Sequence, residues 1–112
     1  MPADSIRTDE QIELGPFYDA HCHYQDARMN SWFADYGETV EGFGIRKAVV
    51  NGTKPEDWND VAKLASKFGY VIPSFGLHPW FVDGAYEDAV SDLENRLDES
   101  LAPIGEIGLD RW

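Results

Sequence analysis

The chain has 112 residues, a length suited to one domain, and its 43% hydrophobic and 27% charged content is ordinary for a globular protein. Its 21 acidic against 9 basic residues give a formal charge of −12, which repels phosphate backbones and argues against nonspecific nucleic-acid binding, although a bound metal would offset this locally. The single cysteine, Cys22, excludes an internal disulfide and suits a reducing compartment. No apolar run is long enough to span a bilayer, and Met1–Glu13 has neither the basic nor the apolar region of a signal peptide, so a cytoplasmic protein with no membrane partner is expected.

Residues 1–14 read as a flexible leader ended by Gly15-Pro16, and residues 15–112 as the folded part. A first strand is predicted at about Phe17–His21. Asp26 then offers an N-cap for a short, irregular helix holding Met29, Trp32, Phe33 and Tyr36. The apolar run Ala48-Val49-Val50 places a second strand at Lys47–Asn51. Thr53 and Glu56 have capping-box spacing with Pro55 in the first turn. The helix they open carries Trp58, Val61, Leu64, Ala65 and Phe68 on one side, and Gly69 stands where a C′ residue is expected.

A third strand fits Val71–Gly76, with Pro73 an awkward resident because it lacks an N–H. A helix from about Tyr86 to Leu97 has Tyr86, Ala89, Val90, Leu93 and Leu97 at helical spacing and the acids Glu87, Asp88 and Asp92–Glu99 as a solvated face. A fourth strand is predicted at Pro103–Ile107. Strands alternating with helices imply an α/β fold with a parallel sheet. Four such steps in this length match the pace of a TIM (βα)8 barrel, which needs roughly 250 residues to close. The expectation is therefore the N-terminal half of such a barrel, about four parallel strands with intervening helices. Its open edges then call for a missing C-terminal half or a complementing subunit.

Chemistry concentrates at the predicted strand ends. His21 and His23 share one face of the first strand, with Cys22 on the other as a small core residue. Two imidazoles about 7 Å apart along a strand converge on one metal where the strand curls. Taken alone, the pair is more simply two partly exposed histidines. Asp19 lies one step deeper on the same face, placed to accept a proton from an imidazole. Glu106 ends the fourth strand among apolar and glycine neighbours, where an unpaired carboxylate is costly and a metal would satisfy it. His78, just after strand three, faces the same mouth, for proton transfer or substrate contact, or as a loop cap. Asp110 either orients a ligand or caps a following helix. Trp32, Phe33, Tyr36, Trp80 and Phe81 wall a pocket or, more simply, pack.

Three segments carry a resemblance: Tyr18-Asp19-Ala20-His21-Cys22-His23, Phe75-Gly76-Leu77-His78-Pro79 and Pro103-Ile104-Gly105-Glu106-Ile107-Gly108-Leu109-Asp110. In this order they resemble the N-terminal signatures of TatD-type hydrolases of the amidohydrolase superfamily, the last being the most diagnostic. The resemblance implies a metal-dependent TIM-barrel hydrolase with deoxyribonuclease activity. It implies His21, His23 and Glu106 as metal ligands, with Glu106 bridging if there are two ions, and His78 as a substrate or phosphate contact. It also implies two further histidines and an aspartate that this chain lacks, so a truncated, inactive chain is expected. One or two divalent ions (Zn, Mn, Fe or Mg) would serve, on nucleic-acid ends or a small phosphoester. The rival expectations are another amidohydrolase reaction on small amides, lactones or phosphoesters, and a non-catalytic half-barrel that binds metal or a partner.

Overall fold

A computed structural model of the chain describes residues 15–82 and 86–108. The apolar runs form the predicted alternation: β1 (Phe17–Cys22), α1 (Asn30–Tyr36), β2 (Ile45–Asn51), α2 (Pro55–Lys67), β3 (Val71–Ser74) and α3 (Tyr86–Ser100). Short 3-10 turns occupy Ala27–Met29, Gly37–Phe43 and Pro79–Phe81. The three strands pair in the order β1-β2-β3, all parallel. The β1–β2 ladder is irregular, with register shifts after Phe17 and after Asp19; β2 and β3 run in unbroken register from Ala48–Val71 to Asn51–Ser74.

The fourth strand is not formed as predicted. Segment 103–107 contributes one parallel bridge, Ile104 to Phe75, made by Phe75 N–H to the Pro103 carbonyl (3.2 Å) and Gly105 N–H to the Phe75 carbonyl (2.9 Å). The physical reason lies in Pro73. Residues two apart on a strand address the same neighbour, so Pro73 faces the same edge as Phe75 and has no N–H to donate there. The ladder stops at one rung, yet that rung puts the segment where a fourth strand belongs.

One face of the sheet is sealed by helices. Trp58, Val61 and Phe68 from α2 and its C-terminus, Phe33 from α1 and Val40 bury against Ala48, Val50, Tyr70, Val71 and Phe75. Trp58 also donates from Nε1 to the Gly76 carbonyl at 2.9 Å, which fixes the end of β3. Tyr70 donates to the Gly37 carbonyl at 2.8 Å, tying the turn after α1 to β3. Gly44, with φ of 93°, closes that turn in a left-handed conformation that side chains resist. Cys22 packs half-buried against the same core, as its face of β1 predicts.

The helix caps fall close to expectation. Asp26 accepts from Arg28 N–H at the start of the first turn. In α2, Pro55 is the first helical residue and Lys54 the cap, so the carboxylate at the third helical position is Asp57 rather than Glu56. It accepts from Thr53 N–H (2.9 Å) and the Thr53 hydroxyl (2.6 Å). Phe17, Tyr18, Leu101, Ile104 and Ile107 remain exposed at β1 and after α3. No helix among the described residues is long and apolar enough to cross a membrane.

Candidate metal centre

His21 and His23 leave the end of β1 on one side, as strand alternation requires, and the chain curls so that their rings meet edge to face with centroids 4.9 Å apart. Glu106 comes from the far end of the sheet. Its N–H donates to the Gly52 carbonyl at 3.1 Å, and the preceding Gly105 carbonyl accepts from the Ser74 hydroxyl at 3.2 Å. A side chain at Gly105 would collide with Asn51 Oδ1 (2.6 Å) and Ser74 Oγ (2.8 Å). Asn51 and Ser74, both buried at the ends of β2 and β3, thus form the seat on which the Glu106 backbone rests. Sequence reading missed this pair. The signal was a polar residue closing an otherwise apolar strand run.

Glu106 Oε2 lies 3.2 Å from His21 Nε2 and 3.1 Å from His23 Nε2, and Glu106 Oε1 lies 3.1 Å from His78 Nε2. His21, His23 and Glu106 each present a donor atom, all within 4.8 Å of one another. The two ring partners separate the histidines chemically. His23 Nδ1 stands 2.9 Å from the Asn51 carbonyl. A carbonyl only accepts, so Nδ1 carries the proton and the neutral ring offers its Nε2 lone pair to the centre. His78 is reversed: its Nδ1 accepts from Trp80 N–H at 3.0 Å, so the neutral ring donates from Nε2 toward Glu106.

The lone pair of His23 Nε2 and the carboxylate oxygen therefore face each other at 3.1 Å with nothing of the chain's own between them. Glu106 Oε2 is buried and has no hydrogen-bond partner among the described residues. Two facing acceptors need a cation or a proton. Imidazole and carboxylate are the donor types that divalent transition ions accept, so the residues present fit a metal.

The remaining predicted residues fall out differently. Asp19 bonds the His21 backbone N–H (3.1 Å) and the Tyr24 hydroxyl (3.5 Å), not an imidazole; the imidazole proton of His23 goes to Asn51 instead. Burial, with the Asp19 charge second, pushes the Cys22 thiol up to about 12, and its Sγ donates to the Val49 carbonyl at 3.3 Å. Cys22 is thus held as a protonated thiol on the other face. Asp110 lies outside the described residues. Among the aromatics, Phe33 is core, Trp32 packs edge-on against it, and Trp80 and Phe81 stand beside His78 with ring centroids 5.0 and 5.8 Å away.

A parallel α/β sheet thus gathers a His-x-His pair and a carboxylate at one end, the donor types of a divalent-metal site. The sequence profile described as TatD related DNase matches residues 18–112, and the chain belongs to that family. It is 41% identical over 78 residues to the Cut9-interacting protein scn1 of Schizosaccharomyces pombe, covering 69% of this chain and 22% of scn1. It is 32% identical to the uncharacterized deoxyribonuclease YMR262W of Saccharomyces cerevisiae, covering 88% of this chain and 42% of that protein. The crystal structure of YjjV, a TatD homologue from Escherichia coli, superposes with a TM-score of 0.71 at 27% identity, over 87% of this chain and 39% of YjjV. By sequence YjjV is named an uncharacterized metal-dependent hydrolase. The chain thus spans between about a fifth and two fifths of the length of these relatives.

Proposed function

We propose that the protein carrying this chain is a metal-dependent hydrolase of phosphoesters, acting on phosphodiester bonds at DNA ends. The observation that carries this reading is Glu106 Oε2, buried and unpartnered between the Nε2 atoms of His21 and His23. In this reading His21, His23 and Glu106 hold one or two divalent ions (Zn, Mn, Fe or Mg), and an ion bound there supplies Lewis acidity toward a phosphoryl oxygen and activates water. The chain's own residues do the rest. The Asn51 carbonyl fixes the His23 tautomer, and Asp19 holds the His21 backbone. His78 presents an N–H at the mouth that Glu106 Oε1 takes in the structure and that a substrate oxygen can take in the complex. Asp110 is assigned to orienting a ligand in the same reading.

The remaining donors and strands come from a C-terminal half of the barrel or from a complementing subunit. In support, apolar Phe17, Tyr18, Ile104 and Ile107 stand uncovered, and YjjV extends well beyond the matched region. The 112-residue chain alone is expected to be inactive. The test is to assay the complete protein on a 3′-labelled oligonucleotide beside small esters, amides and lactones, with each of the four metals and with a chelator. Metal-dependent shortening of the oligonucleotide is expected. DNA left intact under every metal would sink the nuclease reading, and turnover of a lactone or amide instead would establish the other amidohydrolase chemistry. The name of the scn1 relative records an interaction rather than a reaction, which keeps a second, non-catalytic reading alive: metal uptake with no turnover of any ester would favour it.

A further inference from the structure

Beyond the histidine–carboxylate cluster, a groove of about 510 Å³ runs from His23, His78 and Glu106 to the start of α2 and the turn after β3. Ligand sites for small molecules fall in this size range. Four residues of its wall form a chain of contacts. The Lys54 ammonium lies 4.4 Å over the Phe81 ring, Phe81 lies against His78, and His78 lies against Trp80. Trp80 is 58% and Phe81 37% exposed. Large aromatics on a groove wall beside a hydrogen-bond donor are placed to stack a flat ring.

The charges of the groove select further. Among the described residues, Lys54 is the one lysine or arginine lining it, whereas Glu56 and Asp60 line it as carboxylates and Asp26 lines it already paired with the Arg28 guanidinium at 2.7 Å. The start of α2 offers no anion site, because the Asp57 carboxylate already takes Thr53 N–H and the Thr53 hydroxyl. A phosphate therefore finds a cation at Lys54 and at a metal-loaded cluster, and carboxylates elsewhere. A long polyanion laid along this groove would meet repulsion at each further phosphate.

We propose that Lys54, Phe81 and Trp80 form a recognition subsite for a single ring-bearing phosphoester of nucleotide size, and that the acidic lining excludes longer stretches of strand. The proposal rests on the phosphoester reading of the neighbouring cluster. The subsite reads one terminal nucleotide, or a free dinucleotide, equally well. Lys54 is its phosphate contact, and the two aromatic rings are its base platform.

The test is calorimetric binding of a phosphorothioate-linked thymidine dinucleotide to the complete protein, Mn2+-loaded and chelated, with Mn2+ uptake titrated separately. Lys54→Met keeps the methylene stem over Phe81, and Trp80→Leu and Phe81→Leu remove rings; each is expected to weaken dinucleotide binding about tenfold while leaving Mn2+ uptake unchanged. Trp80→Tyr restores a ring and is expected to restore affinity. An oligonucleotide of roughly twenty residues is expected to bind within about threefold of the dinucleotide, with a shallow salt dependence. Dinucleotide binding that is absent, or indifferent to all three substitutions, overturns the subsite whatever the metal titration shows. A long strand binding much more tightly, with a steep salt dependence, overturns the exclusion. Binding that depends on Lys54 and Trp80 in a protein that takes up no metal supports the subsite and instead removes the metal-hydrolase reading.

Discussion

At the scale of single residues, three histidines surround one carboxylate at nearly equal distances, and only their second ring nitrogens tell them apart. His23 is protonated at Nδ1 by its bond to the Asn51 carbonyl, and His78 is an acceptor at Nδ1 toward Trp80 N–H. His23 is therefore assigned as a ligand and His78 as a donor, and His21 joins the ligands because its ring nitrogen shares the three-atom cluster with His23 and Glu106. His21→Ala or His23→Ala should weaken Zn2+ binding by about a hundredfold or more, whereas His78→Ala should change it by no more than about threefold. Equilibrium dialysis with Zn2+ decides this, and an equal loss in all three variants would reverse the assignment of His78. The histidine pair and Glu106 were legible because strand alternation and an apolar context say which side chains converge. Asn51, Ser74 and Lys54 were not, because a lone polar residue at a strand end or a helix cap reads like any turn residue. What gives them a role is contact with segments far along the chain. Nor does anything local show that the His23 ring faces a backbone carbonyl from β2 while Asp19 takes the His21 N–H.

At the scale of elements, the position of Glu106 depends on a close approach of two backbones. A Cβ at Gly76 would lie 2.5 Å from the Glu106 carbonyl oxygen and 2.6 Å from its nitrogen. Both are main-chain atoms that cannot swing aside. A Cβ at Gly69, by contrast, meets nothing within 4 Å. Gly76→Ala should therefore destabilise the protein by about 2 kcal/mol or more and weaken Zn2+ binding, whereas Gly69→Ala should stay within about 0.5 kcal/mol of the parent. Denaturant melts of the two variants check this; a Gly76→Ala protein with unchanged stability and metal affinity would mean that segment 103–106 is not seated as described. The same approach explains what the sequence withheld about strand four. Its apolar pattern was visible, but whether a ladder forms depends on which edge Pro73 turns its missing N–H toward. The α2 cap was misplaced by one residue for a local reason, since Pro55 sets the first helical position and moves the third to Asp57. Helix faces were read more securely: Trp58, Val61 and Phe68 are all buried, because a 3.6-residue period shows itself within a single segment.

At the scale of the whole molecule, the cluster joins the first and last strand positions of the sheet. From β1 through β2 and β3 to the Ile104 rung there are three inter-strand steps, about 14 Å across a flat sheet. Yet His21 and Glu106 meet at 3.2 Å. The two side chains cover much of that distance, and the Glu106 N–H bonded to the Gly52 carbonyl folds its segment back over the end of β2, which draws the two ends of the sheet together at the mouth. A divalent ion bound by His21, His23 and Glu106 would then clasp the two ends of the sheet, which separate on unfolding. Because the ion binds the folded form, a hundredfold excess over its dissociation constant contributes about 2.7 kcal/mol, which for a complete barrel raises the melting temperature by about 5 °C or more. The shift should reverse with a chelator and vanish in His21→Ala, because that variant frees β1 from the clasp while keeping Glu106. Calorimetric melts with and without Zn2+ measure it. If His21→Ala shows the full shift, the stabilising ion binds elsewhere and the cluster does not link β1 to the segment after α3. If the shift is confined to the parent protein, the ion binds at this cluster and ties β1 to the segment after α3.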